Sequence, residues 1–173
     1  MTDLETIYNH AALSTNWHHQ RILPDDLVVM RQTVSGHIPC HNPHAAELLY
    51  VERGQGTLKV NGKEYQLAEN RGVFLFTHHF HEMTVPAGET LDIVSCQFSF
   101  RTYVYLTALL PYPDVLPHNH SSCDFVYFPP AEQAHITRII EALLIGNTQK
   151  KSPRYIPLLL EWIARFYRRL NDD

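Results

Sequence analysis

The sequence has few charged residues and few cysteines, and both shortages limit the classes of protein to which it can belong. Of its 173 residues, 18% are charged and 45% are hydrophobic, which is typical of a globular chain and not of a disordered or fibrous one. Its three cysteines, at positions 40, 96 and 123, show no close pairing pattern. We therefore expect one globular unit with reduced thiols and no disulfide framework.

Long apolar runs and an excess of positive charge are also missing. No apolar stretch approaches the roughly 20 residues that a membrane-spanning helix needs. The segment from Met1 to Glu5 is acidic and lacks the apolar centre of a signal peptide. The formal net charge is −4, so no overall positive field would attract nucleic acid. These absences predict a cytoplasmic protein with no membrane partner, which does not bind DNA through this segment alone.

The sequence does contain a histidine-rich segment at the start of an apolar run. Within residues 40–47 the chain carries a thiol, two imidazoles and a carboxylate, from Cys40, His41, His44 and Glu47. Three further histidines follow at positions 78, 79 and 81. Such groups can bind a divalent metal ion, and they can equally line a polar pocket. Both interpretations remain open at this point.

Short runs of β-branched and aromatic residues, separated by turn residues, predict that most of the chain is β structure. The predicted strands are 27–34, 47–53, 57–60, 63–67, 73–77, 83–85, 91–100 and 125–128. Asn61-Gly62 lies between two alternating segments and predicts a hairpin over 57–67, because both turn positions need positive φ. Pro39 and Pro43 predict irregular backbone between them. Many short strands favour a closed β architecture.

After Pro129-Pro130 the apolar residues change to helical spacing, which predicts two helices. The apolar face of the second helix is wider than one contact with a barrel requires, so it can cover both the barrel and a partner. The predicted dimerisation residues are Leu159, Leu160, Ile163, Phe166 and Tyr167. The alternative is a helix that only caps the barrel. The predicted organisation is an N-terminal arm over 1–26, a barrel over 27–130 and a helical segment over 131–173.

Two motifs give this sequence a family resemblance. Glu47 and Gly54 have the E-x6-G spacing of the first cupin motif, and the strand from Gly72 to Phe76, followed by His81, resembles the second. Over residues 27–170 the chain also resembles the sensing and dimerisation domain of AraC-type transcriptional regulators. That resemblance implies a mainly β fold with C-terminal α structure: a cupin barrel (double-stranded β-helix, or jelly roll) followed by two antiparallel helices.

The same resemblance implies a function and leaves one alternative. An AraC-type domain would bind a small-molecule effector, with a sugar among the candidates, and form a homodimer. It would control a helix-turn-helix DNA-binding domain that lies outside these 173 residues. No cofactor is firmly implied. The alternative is a metal-dependent cupin enzyme, an isomerase or dioxygenase, holding Zn, Fe, Mn or Ni.

The residues of the two alternative sites overlap. The metal set would be His41, His44, Glu47 and His81, although the H-x-H of metal-binding cupins appears here as His41-x-x-His44. The effector pocket would be lined from the inward faces of the strands by Arg31, Glu47, Tyr50, Phe74, His81 and Gln97. Strand alternation decides which side chains face inward, and an error of one residue inverts the set. The spacing of His118, His120 and Cys123 could bind zinc, but a surface loop is the stronger expectation.

Overall fold

A computed structural model of the chain describes residues 27–43, 45–110, 123–148 and 155–172. The predicted arm over 1–26, His44, His118 and His120 lie outside the described residues. The strands are β1 (Leu27–Val34), β2 (His37–His41), β3 (Ala46–Val60), β4 (Lys63–Ala68), β5 (Arg71–Leu75), β6 (His81–Thr84), β7 (Leu91–Phe98) and β8 (Asp124–Tyr127). The helices are α1 (Phe100–Thr107), α2 (Pro130–Thr148) and α3 (Tyr155–Asp172).

The strands form two antiparallel layers that share β3. The first sheet has the order β1-β7-β3-β5-β8, and the second sheet joins β4, the later part of β3, β6 and β2. β3 passes from one sheet to the other at Gly54, which has a φ of +92°. A side chain at this position would collide with the Thr90 carbonyl oxygen. Both constraints explain why the E-x6-G motif ends in glycine.

The first part of β3 and the strands β5 and β7 are buried on both faces, and alternation along β3 assigns its residues to two cores. Leu49 and Val51 pack between the two sheets with Leu58 and Ile93. Residues on the other face of the sheet pack against the helices. This helix-facing core includes Leu48, Tyr50, Phe74, Phe98, Trp162 and Phe166. The predicted fold, mainly β with C-terminal helices, is confirmed.

The predicted hairpin is confirmed. Asn61 and Gly62 connect β3 to β4 with φ angles of 47° and 87°, and Val60 pairs with Lys63 on either side of the turn. Irregular backbone was predicted between Pro39 and Pro43; β2 extends through Pro39 to His41 and pairs with β6, and no strand continues at residues 42–43. The register of this pair shifts between Ile38 and His41. An edge strand with a bulge tolerates proline, because the missing N–H is not needed there.

The strand predicted for 91–100 ends two residues early, and helix α1 follows it. Ser99 is the N-cap of α1, and its Oγ accepts a hydrogen bond of 3.1 Å from the backbone N–H of Thr102. The residues of α1 are rich in aromatic and β-branched side chains, which favour strands. The capping bond and packing of Tyr103 against Phe74 favour the helix instead.

The two predicted C-terminal helices are confirmed, and charged residues connect them. Glu132 at the beginning of α2 forms an ion pair with Arg169 near the end of α3, as antiparallel helices require. His135 Nε2 on α2 and Glu161 Oε1 on α3 lie 2.5 Å apart between the same two helices. Among the residues described by the structure, no helix is long and apolar enough to cross a membrane.

Candidate functional site

A buried carboxylate lies inside the barrel, at the end where β3 begins. Glu47 on β3 is paired with Gln97 on β7, so both side chains face the space between the two sheets. The exposed fractions are 6% for Glu47 and 2% for Gln97. Ser95 Oγ donates a 2.5 Å hydrogen bond to Glu47 Oε1. Burying an ionisable carboxylate is costly unless it is hydrogen-bonded or paired, so this location points to a specific role.

One histidine of the second sheet, His81, interacts electrostatically with this carboxylate, and a second, His41, lies beside His81. His41 on β2 pairs with His81 on β6, and their ring centroids are 4.2 Å apart. His41 Nδ1 is 2.9 Å from the Pro39 carbonyl oxygen, and His81 Nδ1 is 3.2 Å from the His79 carbonyl oxygen. A carbonyl only accepts, so Nδ1 carries the proton in each neutral ring and Nε2 carries the lone pair. Glu47, Gln97, His81 and His41 together are called the barrel-end cluster below.

The environment of His81 keeps its ring neutral at neutral pH. Burial lowers the pKa of His81, and the neighbouring His41 lowers it further because two positive charges would repel. The Glu47 carboxylate acts in the opposite direction but does not reverse the shift. A neutral imidazole with its proton on Nδ1 presents an acceptor, not a positive charge, to the barrel.

Gln97 contributes an unsatisfied donor to the barrel-end cluster. Its Nε2 is buried, and no hydrogen-bond partner is found for it within the described part of the chain. Most buried polar groups in proteins are paired, and an unpaired one costs about 1–3 kcal/mol. A bound molecule that accepts a hydrogen bond from Gln97 would remove this cost. The unpaired donor therefore makes this end of the barrel a candidate ligand site.

The structure brings three of the six predicted effector residues together and separates the other three. Glu47, His81 and Gln97 face the barrel interior. Tyr50 and Phe74 lie in the helix-facing core, and Arg31 shares that face of the first sheet with Val29. The expectation that all six residues share one inward face is therefore wrong. Side chains alternate between the two faces of a strand, so Tyr50, three residues after Glu47, lies on the opposite face.

The separated residues join the barrel to the helices. Arg31 is exposed and forms ion pairs of 2.7 Å with Glu52 on β3 and 2.6 Å with Glu141 on α2. Tyr50 donates a 2.8 Å hydrogen bond to Asn70 Oδ1 and lies edge-on to the ring of Trp162. An open cleft of about 300 Å³ lies beside this junction, a feature that the sequence did not predict. Its lining residues are Tyr50, Glu52, Pro130, Gln133, Ala134 and Thr137.

The predicted metal set is only partly described, since His44 lies outside the described residues. Among those that the structure does describe, no group of three or more His, Cys, Asp or Glu side chains is arranged to hold a metal ion. A metal bound by His41, His44, Glu47 and His81 therefore stays a prediction. Burial raises the pKa of the Cys96 thiol, and it raises that of Cys123 to about 12. Neither buried thiol is activated as a thiolate ligand.

The predicted dimerisation residues are largely covered by the protomer itself. Leu159, Ile163 and Phe166 are fully buried, Tyr167 is 4% exposed, and Leu160 is half-buried. Tyr167 also shares a 2.6 Å hydrogen bond with the hydroxyl of Tyr103 on α1. The apolar face that predicted a partner is thus explained by packing on the barrel. Dimerisation stays a prediction, and Leu160 is its best-exposed candidate among these five.

Comparisons with known proteins place these features in a family. The model of the AraC-like ligand binding domain matches residues 26–164. The chain is also similar to the crystal structure of apo ToxT K231A from Vibrio cholerae, with a TM-score of 0.61 and 8% identity. ToxT is an AraC-family regulator. The match covers 84% of this chain and 56% of the ToxT chain. At this identity the likeness shows the fold alone.

Two further solved structures are similar over a smaller part of the chain. The polyketide cyclase RemF from Streptomyces resistomycificus has a TM-score of 0.39 and 19% identity, over 42% of this chain and 54% of its own. A cupin protein from Bacteroides fragilis has a TM-score of 0.39 and 12% identity, over 50% and 86%. No curated protein matches this chain with significance.

Proposed function

Because this chain belongs to the family of AraC-like ligand-binding domains, we propose that it senses a small effector inside its barrel. In this proposal the outer helices α2 and α3 take different positions on the barrel when the effector is bound and when it is absent. The helices in turn control a helix-turn-helix DNA-binding domain outside these 173 residues. The domain acts as a regulatory binding module and not as an enzyme.

The observation that carries the proposal is the barrel-end cluster with its unpaired donor. Glu47 and Gln97 are almost fully buried, and Gln97 Nε2 finds no partner within the described residues. A purely structural barrel would fill this position with apolar side chains at lower cost. Buried polar groups that converge on one space are typical of a site for a small molecule.

A route from this cluster to the helices runs through the first sheet. Glu47 and Gln97 face the barrel interior, whereas their chain neighbours Leu48, Cys96 and Phe98 face the helix-facing core. A shift of β3 or β7 would therefore move side chains on both faces of the sheet, in the barrel interior and in the helix-facing core. An effector can shift the helices only if it binds the two arrangements with different affinity.

Homodimer formation is part of the proposal, through the side of α3 that the barrel leaves uncovered. Pro157, Leu160, Ala164 and Arg168 follow one another at helical spacing, and each is exposed or half-buried. This surface is mixed in character and shares only Leu160 with the apolar face predicted from the sequence. Substitution of Leu160 by Glu should weaken a dimer, whereas Glu at the exposed Val104 of α1 should not.

A reporter fusion tests the proposed function. The 173-residue chain would be joined to a foreign DNA-binding domain that occupies its operator only as a dimer. We expect repression of the reporter, and a change in repression when fractionated cell extract is supplied. A Gln97→Leu fusion should still repress but lose the response. Repression that no fraction alters would contradict sensing, and a monomer by light scattering at the highest attainable concentration would contradict dimerisation.

A further inference from the structure

The open cleft of about 300 Å³ lies outside the barrel, between β3 and the first turns of helix α2. Tyr50 and Glu52 form its wall on the β3 side, and Gln133 and Thr137 belong to the wall on the α2 side. Tyr50 belongs to the helix-facing core, so the cleft is separate from the barrel-end cluster. Its volume is at the lower end of the range for small-molecule sites.

The hydrogen-bond donors of the cleft are largely used within the protein. The Tyr50 hydroxyl donates to Asn70 Oδ1 at 2.8 Å, and Gln133 Nε2 donates to Glu69 Oε1 at 3.2 Å. Thr137 Oγ1 donates to the backbone carbonyl oxygen of Gln133 at 2.9 Å. Apart from the second N–H of the Gln133 amide, the side-chain groups that remain for a ligand are acceptors. A ligand that fits this cleft must therefore be rich in donors.

Carboxylates outnumber cations around the cleft. Glu52 lies in its lining, and Glu69 and Glu141 lie at its edges. Arg31 pairs with Glu52 at 2.7 Å and with Glu141 at 2.6 Å, so one positive charge is shared by two carboxylates. The pKa of Tyr50 is raised to about 12, first by burial and then by the charges of Glu52 and Glu69. The negative potential therefore reaches the hydroxyl group that lines the cleft.

The negative charges are spread along the cleft and not gathered at one point. Glu69 is bonded to Gln133, whereas Glu141 lies further along α2, about 12 Å from Gln133 along the helix axis. The positive end of the α2 dipole lies near Gln133, but Glu132 in the first turn offsets it. A ligand with two separated positive charges matches this distribution better than a ligand with one. A carboxylate ligand would be repelled.

We infer that this cleft is a second ligand site, which takes a small organic cation with two or more ammonium groups, of the diamine or polyamine class. The ammonium groups donate to the Glu52 carboxylate and to the side-chain oxygens of Gln133 and Thr137. The hydrocarbon chain between them contacts Pro130 and Ala134. The site goes beyond the proposed function, since it lies outside the barrel. Because its walls belong to β3 and α2, a bound ligand joins the barrel to the helices.

Equilibrium dialysis of the 173-residue chain with radiolabelled putrescine tests the ligand class. The ionic strength is held constant, because salt screens exposed charges. The competitors of similar chain length are n-butylamine, 1,4-butanediol and succinate, and magnesium chloride supplies a divalent cation without N–H donors. We expect saturable binding of putrescine, one molecule per chain. Butylamine should compete about tenfold more weakly than unlabelled putrescine, and the other three should not compete.

Two pairs of variants test the location. Ala134→Lys places an ammonium group in the cleft from its own wall and should weaken putrescine binding by about tenfold or more. Ala131→Lys is its matched control, because it adds the same charge to α2 at an exposed position outside the lining. Glu52→Gln should also weaken binding by about tenfold or more. Its matched control is Glu64→Gln, at an exposed position on β4, which should leave the affinity nearly unchanged.

The possible results either support or overturn the site. Displacement of putrescine by butanediol or by magnesium as efficiently as by butylamine overturns the ligand class. Equal losses in Ala134→Lys and Ala131→Lys would indicate diffuse attraction by the net charge and overturn the location. If Ala134→Lys does not fold by circular dichroism, the Glu52 and Glu64 pair decides. The reporter fusion is scored separately, because barrel sensing stands or fails whether or not putrescine binds.

Discussion

Ser95 is the residue that makes a buried Glu47 carboxylate tolerable, through the 2.5 Å hydrogen bond to Oε1. Ser95→Ala should lower the free energy of unfolding by about 1–3 kcal/mol, because it leaves a buried acceptor unpaired. Urea denaturation measures the loss. In a Glu47→Gln background the same substitution should cost less, since the buried charge is gone. Equal losses in both backgrounds would show that Ser95 stabilises the barrel without acting on Glu47.

His81 predicts a dependence of stability on acid pH. Its pKa is lowered in the folded protein by burial and by His41, against the opposing effect of Glu47. The unfolded chain therefore binds a proton more readily than the folded chain does. The free energy of unfolding is therefore highest above the ordinary pKa of 6.5, where His81 is neutral in both states. It decreases as the pH falls below 6.5 toward the lower pKa of the folded protein.

The measurement is a series of thermal melts between neutral and mildly acidic pH. The melting temperature should fall with pH in the parent chain, and His81→Asn should reduce the slope. His37→Asn is the control, because His37 lies on β2 with a side chain that is 52% exposed. A slope that survives His81→Asn unchanged would assign the acid sensitivity to other groups.

The sequence identified residues of the cluster but could not assign their faces. Glu47, His81 and Gln97 were predicted by motif or polarity, and all three point into the barrel. Tyr50 and Phe74 were also predicted to line the effector pocket, but they pack in the helix-facing core. Because the central strands of the first sheet are buried on both faces, they lack the alternation that normally reveals the inward side. Only tertiary packing separates the two sets.

At the scale of elements, the bend in β3 depends on Gly54. Gly54→Ala should destabilise the fold by several kcal/mol, because the added carbon strikes the Thr90 carbonyl and φ is +92°. Gly88→Ala is a matched control: it also has positive φ, at +81°, but a side chain there meets no atom within 4 Å. Its cost should be only about 1–2 kcal/mol. Equal melting temperatures for the two variants would contradict a steric role for Gly54.

Elements with a local signal were predictable, and elements fixed by neighbours were not. Asn61-Gly62 determines its turn through its own backbone preferences, so the hairpin followed directly from the sequence. β2 exists because β6 lies beside it, although Pro39 argues against a strand. Helix α1 depends on the Ser99 cap and on the packing of Tyr103, which outweigh the strand preference of its residues. Local sequence patterns do not reveal these contacts, because the partners lie far apart in the sequence.

At the scale of the whole molecule, the helices and the barrel share one core and should unfold together. Phe166 on α3 is fully buried, and its ring contacts Phe74 on β5 and Phe128 after β8. The same ring lies 3.3 Å from where a side chain at Gly72 would be, so α3 packs directly on the strand. A helix attached only as a dimerisation arm would not need this contact.

Phe166→Ala should therefore destabilise the whole protein by about 3–5 kcal/mol, the usual cost of removing a buried aromatic ring. Far-ultraviolet circular dichroism follows both strands and helices, and aromatic dichroism follows the core; the two transitions should coincide and shift together. Tyr105→Ala is the matched control, because this ring on α1 is 59% exposed and its loss should change stability little. Early helix melting with an unshifted barrel transition would show that the helices fold independently, and the proposed route from effector to helices would then lack its mechanical connection.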